Sequence, residues 1–99
     1  MTLKVLRKAR EDLRLGIQFY NRQEQGLGSY FYDSLISDIE SLRIYVGIHP
    51  QIKNYYRALS KRFPYSIYYK IDDNMIKVYA VLDDRSNPEM IESRLEEEK

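Results

Sequence analysis

The chain has 99 residues, enough for one hydrophobic core and too few for a second. Its 43% hydrophobic and 31% charged residues exclude a disordered chain, and the absence of cysteine excludes disulfides and thiolate metal sites. A net charge of +1 conceals strong patterning: residues 1–15 and 51–70 are net basic, whereas residues 89–99 are net acidic.

The first twelve residues contain no apolar signal-like region, and no window approaches the roughly 18 apolar residues of a membrane span. A soluble cytoplasmic protein is expected, forming a single domain over 1–99. Leu3 and Val5 alternate with Lys4 and Leu6, a short opening strand. From Ala9 the period changes: Ala9, Leu13, Gly16, Ile17 and Tyr20 recur at steps of three and four and share one helix face. Glu11 and Asp12 are expected in its first turn, where carboxylates suit the helix dipole. Gly26 and Gly28 close it.

Ser29 is the expected N-cap of a second helix, whose apolar face is Phe31, Leu35, Ile39 and Leu42, widened by Tyr32 and Ile36. The short connection makes the two helices an antiparallel hairpin. Gly47 and Pro50 stop the helical run. Tyr55 to Leu59 then reads as a strand. Tyr65, Ile67, Tyr69 and Ile71 alternate along a second, and Ile76, Val78, Ala80 and Leu82 along a third. Asp72-Asp73-Asn74 joins the last two as a hairpin. Residues 83–88 form a loop, and Glu89 to Glu98 a short terminal helix. The order β-α-α-β-β-β implies an α+β fold, with two helices on one face of an antiparallel sheet and the other face free to present side chains.

Ten residues are tyrosine, and five of them lie between Tyr55 and Tyr69. The surrounding block, Gln51 to Lys70, carries Lys53, Arg57, Lys61, Arg62 and Lys70 and no acidic residue. Aromatic surface interleaved with uncompensated positive charge suits a polyanion or another macromolecular target. This strip, with Tyr68, is the expected target-binding surface. His49 before Pro50 is read as a turn residue. Nothing has the spacing of a metal site or a phosphate-binding glycine loop, so no cofactor is expected.

The run Tyr56-Arg57, Arg62-Phe63-Pro64-Tyr65-Ser66-Ile67-Tyr68-Tyr69-Lys70-Ile71, then Ile76-Lys77-Val78-Tyr79-Ala80-Val81-Leu82-Asp83-Asp84-Arg85 and Pro88, resembles the RelE/ParE superfamily of bacterial toxins. Ala9, Asp12-Leu13, Gly26-Leu27-Gly28, Phe31 and His49-Pro50 extend the resemblance over residues 3–94. It implies the toxin of a type II toxin–antitoxin (plasmid stabilisation) system, neutralised by a cognate antitoxin protein that folds onto it. Two mechanisms occur in the superfamily: RelE-like cleavage of mRNA on the ribosome without a metal, and ParE-like poisoning of DNA gyrase. The fold serves both.

Metal-free RNA cleavage requires a base, an acid and cations to stabilise the phosphorane. Arg57 and Arg85 resemble the superfamily's arginines, and with Lys61 and Arg62 they converge if the strand of Arg57 runs beside the last strand. RNA-cutting members usually carry a tyrosine or histidine near the C-terminus, a role that Glu or Lys can also take in this superfamily. Residues 86–99 contain neither, which leaves Tyr79 as the nearest candidate, and their glutamates would repel a polyanion. The departure favours the gyrase reading, with the nuclease as the alternative. Plainer roles stay open: core packing for Tyr65 and Tyr69, ion pairs with Asp72, Asp73 or the tail for Arg57 and Arg62, and a loop ion pair for Arg85. Oligomeric state is not legible.

Overall fold

A computed structural model describes residues 1–97. In chain order the elements are β1 (Thr2–Val5), α1 (Arg7–Gln23), α2 (Leu27–Glu40), α3 (Leu42–Tyr45), β2 (Gln51–Ile52), β3 (Tyr55–Leu59), β4 (Tyr65–Asp72), β5 (Met75–Asp83) and α4 (Pro88–Glu97). The expected α+β class, helix hairpin, strands and terminal helix are all present; Glu98 lies outside the described residues.

The sheet order is β1-β5-β4-β3-β2. Pairing is antiparallel from β2 to β5, but β1 adds to β5 in parallel, so the sheet is mixed rather than wholly antiparallel. The reason is topological. The α1–α2 hairpin and the strands β2 to β4 intervene between β1 and β5, giving a crossover long enough for parallel pairing.

The α1–α2 hairpin covers one sheet face. Ala9, Leu13 and Tyr20 of α1, Phe31, Leu35 and Ile39 of α2, and Leu42 of α3 pack on Ala58, Tyr65, Ile67, Tyr69, Ile76, Val78 and Val81. Tyr65 and Tyr69 are therefore core residues, as their alternation with isoleucine suggests. Tyr32 is exposed rather than part of the stripe. An aromatic cluster forms around Phe31, whose ring centroid lies 5.0 Å from Tyr20, 4.8 Å from Tyr65 and 5.1 Å from Phe63. Asp38, buried on α2, accepts the Ser60 hydroxyl at 2.6 Å and so anchors the β3–β4 loop to the helix layer.

Three local expectations are revised. Ser29 is not the N-cap of α2: Gly26 is, at φ 91, a left-handed conformation that glycine adopts without steric cost. Gly28 lies inside the helix, where a Cβ would come within 2.6 Å of the Ile17 carbonyl, so it serves close helix packing. Glu11 and Asp12 are not in the first turn of α1, which begins at Arg7 and holds no acid there. Glu11 pairs with Arg14 instead.

The strand β5 contains a bulge. Tyr68 is opposite Ala80 and Tyr69 opposite Val78, which leaves Tyr79 as the extra residue. The alternation expected for β5 inverts there: Val78 faces the hairpin, Ala80 and Leu82 face the other side, and Val81 returns to the main core.

The second sheet face is not free, contrary to the sequence expectation. The helix α4 seats Leu95 on Tyr55, Tyr68 and Ala80, with Tyr79, Leu82 and Ile91 around them. Burying leucine fully is worth about 1.5–3 kcal/mol. No helix among the described residues is long and apolar enough to cross a membrane.

Candidate functional site

The sheet face beneath and beside α4 gathers five of the eight residues singled out in the sequence. Arg57 lies on β3, Tyr68 and Lys70 on β4, Tyr79 at the bulge of β5, and Lys53 in the β2–β3 turn with φ 53. Strand alternation puts Arg57 and Tyr68 on one face, and the bulge turns Tyr79 onto the same side.

Each of these groups is engaged within the chain. Tyr68 is only 2% exposed, under Leu95. Lys53 Nζ is 3.1 Å from Glu92 and 3.8 Å from Glu96, both on α4, and this pairing raises its pKa. Lys70 Nζ stands 4.5 Å from the Tyr55 ring centroid and 5.5 Å from that of Tyr79, a cation–π arrangement. The Tyr55 and Tyr79 rings meet edge to face at 5.4 Å.

Arg57 Nε donates to Ser66 Oγ at 2.9 Å, and its Nη2 lies 3.3 Å from Asp84 Oδ1. The Ser66 hydroxyl, fully buried, donates to the same carboxylate oxygen at 2.5 Å. Arg57 thus pairs with Asp84, not with Asp72, Asp73 or the tail.

The expected convergence of Arg57 with Arg85 does not occur. β4 lies between β3 and β5, and the two arginines pair with different aspartates, Arg57 with Asp84 and Arg85 with Asp83. Arg85 forms a loop ion pair with Asp83 at 2.8 Å and reaches the Tyr20 hydroxyl at 3.4 Å, on the hairpin side. The hydrogen bond from Arg85 holds the Asp83 carboxyl below its usual range. Burial, reinforced by Asp83, pushes the nearby Tyr65 hydroxyl up to about 12. Lys61 and Arg62 remain exposed in the β3–β4 loop.

Two residues that hold α4 in place were missed from the sequence. Asp12 of α1 accepts two hydrogen bonds from Arg94 of α4, at 2.7 and 2.8 Å, and a third from the Val81 N–H at 2.9 Å. Arg94 Nη2 also donates to the Tyr79 carbonyl at 3.4 Å. β1 ends at Val5, opposite Val78, so this pair caps peptide groups of β5 beyond the reach of its neighbour. The only hint was a lone arginine among the tail glutamates.

His49 is part of the framework. Tyr69 Oη accepts the Gly47 N–H at 3.0 Å and lies 2.5 Å from His49 Nδ1, to which its hydroxyl donates when the imidazole is neutral. Burial lowers the His49 pKa. The unfolded chain, near 6.5, then binds the proton more readily. Stability contributed by neutral His49 is present above about pH 6.5 and lost as pH falls toward the folded value. Denaturant titrations at pH 7.5 and 5.5 should show this loss in the wild type and a smaller one in His49→Asn.

No group of three His, Asp or Glu side chains among the described residues is placed to hold a metal ion. The electrostatic arrangement suits recognition: a face of tyrosines and cations on which α4 meets Lys53, Asp84 meets Arg57 and tyrosine rings meet Lys70, with the exposed Lys61 and Arg62 at its end.

A helix hairpin on one face of the sheet and a terminal helix on the other define the RelE/ParE-like fold. Among solved structures the chain is similar to one described as "Chromosomal ParDE TA system from P. aeruginosa", with a TM-score of 0.74 and 17% identity over 82% of this chain and 92% of that one. At such identity the likeness carries the fold, and the fold implied by the sequence resemblance is borne out. No family model and no curated protein matches the sequence.

Proposed function

We propose that the chain is the toxin of a type II toxin–antitoxin system, a growth inhibitor neutralised by a cognate antitoxin, and that it acts as a ParE-like poison of DNA gyrase. The fold shared with a ParDE chain supports the toxin assignment. The seat of α4 supports the choice of target. Leu95 closes over Tyr68, while Glu92 and Glu96 neutralise Lys53. A polyanion approaching this face meets glutamates and an arginine already paired. Binding to a protein target requires surface and no proton relay.

The RelE-like alternative is a ribosome-dependent mRNA endoribonuclease using Arg57, Tyr79 and Arg85. One observation favours it: Ser66 and Asp84 hold Arg57 oriented and partly exposed on the sheet face, which suits bidentate phosphate recognition once α4 moves. The antitoxin, on either reading, is an acidic segment engaging Lys61 and Arg62, the exposed cations of the strip.

Pulsed induction in a bacterial host separates the mechanisms. DNA synthesis should fail within minutes while translation continues, and co-expressed antitoxin should restore growth less well for a Lys61→Glu/Arg62→Glu variant. An immediate halt in translation, with new mRNA 5′ ends inside codons, would overturn the gyrase reading. Undiminished rescue of the double variant would remove the antitoxin from this loop.

A further inference from the structure

Part of the β5 edge is left open in a groove between α1 and α4. β1 runs beside β5 only as far as Val78, whose carbonyl accepts the Leu6 N–H where β1 gives way to α1. Beyond that point no strand accompanies β5 on this side, because its neighbours in the sheet are β1 and β4. Val81, Leu82 and Asp83 line the groove, whose volume of about 340 Å³ is within the range of ligand sites.

Two helices supply the walls. Leu15 and Phe19 of α1, four residues apart and so on one helix face, line one side, and Met90 of α4 lines the other. They are 51%, 41% and 63% exposed. Single surface apolar residues need no explanation, but three large ones lining one groove mark an interaction surface.

The Asp12–Arg94 pair fills the first step of the open edge as a strand would. Arg94 donates to the Tyr79 carbonyl at 3.4 Å, and Asp12 accepts the Val81 N–H at 2.9 Å. The next step is open. The Val81 N–H points away from β4, so alternation directs the Val81 carbonyl and the Asp83 N–H the same way, with no strand to meet them. The Asp84 N–H, bonded to the Pro64 carbonyl on the opposite side, keeps that alternation. Val81 is 1% exposed, so water has little access to its carbonyl, which favours a partner that brings an N–H.

This geometry selects the occupant. A helix has no N–H or C=O to offer along its length, since each is bonded within the helix. A small apolar ligand would fill the walls and leave both peptide groups unmet. An extended backbone brings a donor and an acceptor at this spacing. Its successive side chains point to opposite faces, one toward Leu15 and Phe19 and the next toward Met90. Such a segment carries apolar residues at consecutive positions, as strands buried on both faces do.

We propose that the groove between α1 and α4 is a peptide-binding site, in which an extended apolar segment of a partner protein joins the β5 edge at Val81 and Asp83. The proposal stands independently of the toxin assignment. The Asp12–Arg94 pair closes one end, so the added strand is short.

NMR titration of the isotope-labelled full chain with the peptide acetyl-Lys-Thr-Val-Ile-Val-Thr-Lys-amide tests it. The Asp83 amide resonance should move downfield and saturate, and its hydrogen exchange should slow at least about ten-fold. The Leu59 amide, on β3, should not move. Leu15→Glu/Met90→Glu should raise the dissociation constant at least about ten-fold, corresponding to 1.4 kcal/mol, with circular dichroism unchanged. Methylating the three central peptide nitrogens should abolish binding, because the Val81 carbonyl then gains no donor. An Asp83 amide that does not respond to millimolar peptide, shifts centred on Leu59, binding unaffected by the glutamates, or equal binding of the methylated peptide would each overturn the proposal. An Asp83 shift that follows protein concentration without peptide would assign the edge to a second copy and overturn it too.

Discussion

Replacing Asp12 with alanine should destabilise the chain by about 3–5 kcal/mol, the cost of removing one partner of a buried ion pair. The Asp12 side chain is 9% exposed and that of Arg94 18%, so little solvent replaces what is lost. The mutation takes the carboxylate from Arg94 and the acceptor from the Val81 N–H together. An orphaned buried donor alone costs about 1–3 kcal/mol. Removing both charges, as in Asp12→Leu/Arg94→Met, should recover only the part due to the stranded guanidinium, because a buried pair repays little more than its own desolvation while the Val81 N–H stays without its acceptor. Urea midpoints by circular dichroism at 222 nm would measure the cycle. A loss below about 1 kcal/mol for Asp12→Ala would show that α4 is held by Leu95 and its neighbours, with the ion pair incidental.

This clamp also marks the limit of what the sequence discloses. The helix hairpin was legible because Ala9, Leu13, Gly16 and Tyr20, then Phe31, Leu35 and Ile39, keep helical spacing and all face one core. The β4–β5 hairpin was legible from its alternation and from Asp72-Asp73-Asn74, where Asp73 takes φ 56. The bulge was not. Its signal is the register against β4, and a strand read alone keeps its parity through Tyr79. Nor did any local pattern connect Asp12 with Arg94, 82 residues away. The candidate site divides likewise. Composition located the strip, but the register that sets Arg57 opposite Tyr68 is a property of the β3–β4 pairing and not of either strand read alone. Its closure depends on where α4 lies, and amphipathic spacing of Ile91 and Leu95 says that α4 packs without saying on which face. A terminal helix rich in glutamate read as repulsive to a polyanion. In the fold it acts first on the chain's own lysine, at Glu92 and Glu96.

The second large effect lies at the crossing of α1 and α2. Phe31 has no exposed surface and is enclosed by Tyr20, Phe63 and Tyr65. Phe31→Ala should cost about 3–5 kcal/mol, since the surrounding rings are too stiff to close the cavity. Gly16 is the other half of this contact: a Cβ there would stand 2.5 Å from two atoms of the Phe31 ring. Alanine is the better helix former by about 1 kcal/mol, while overpacking a close-packed core costs about 1–3 kcal/mol. Gly16→Ala alone should therefore be destabilising. In the Phe31→Ala background the clash is absent, helix propensity acts unopposed, and the added methyl fills part of the cavity. The same substitution should then stabilise by about 1 kcal/mol. Glycine at position 16 is thus matched to an aromatic ring at position 31, and a change of sign between backgrounds in urea unfolding is its signature. Equal effects of Gly16→Ala in both backgrounds would mean that Phe31 moves aside without cost, and that the crossing does not depend on the pair.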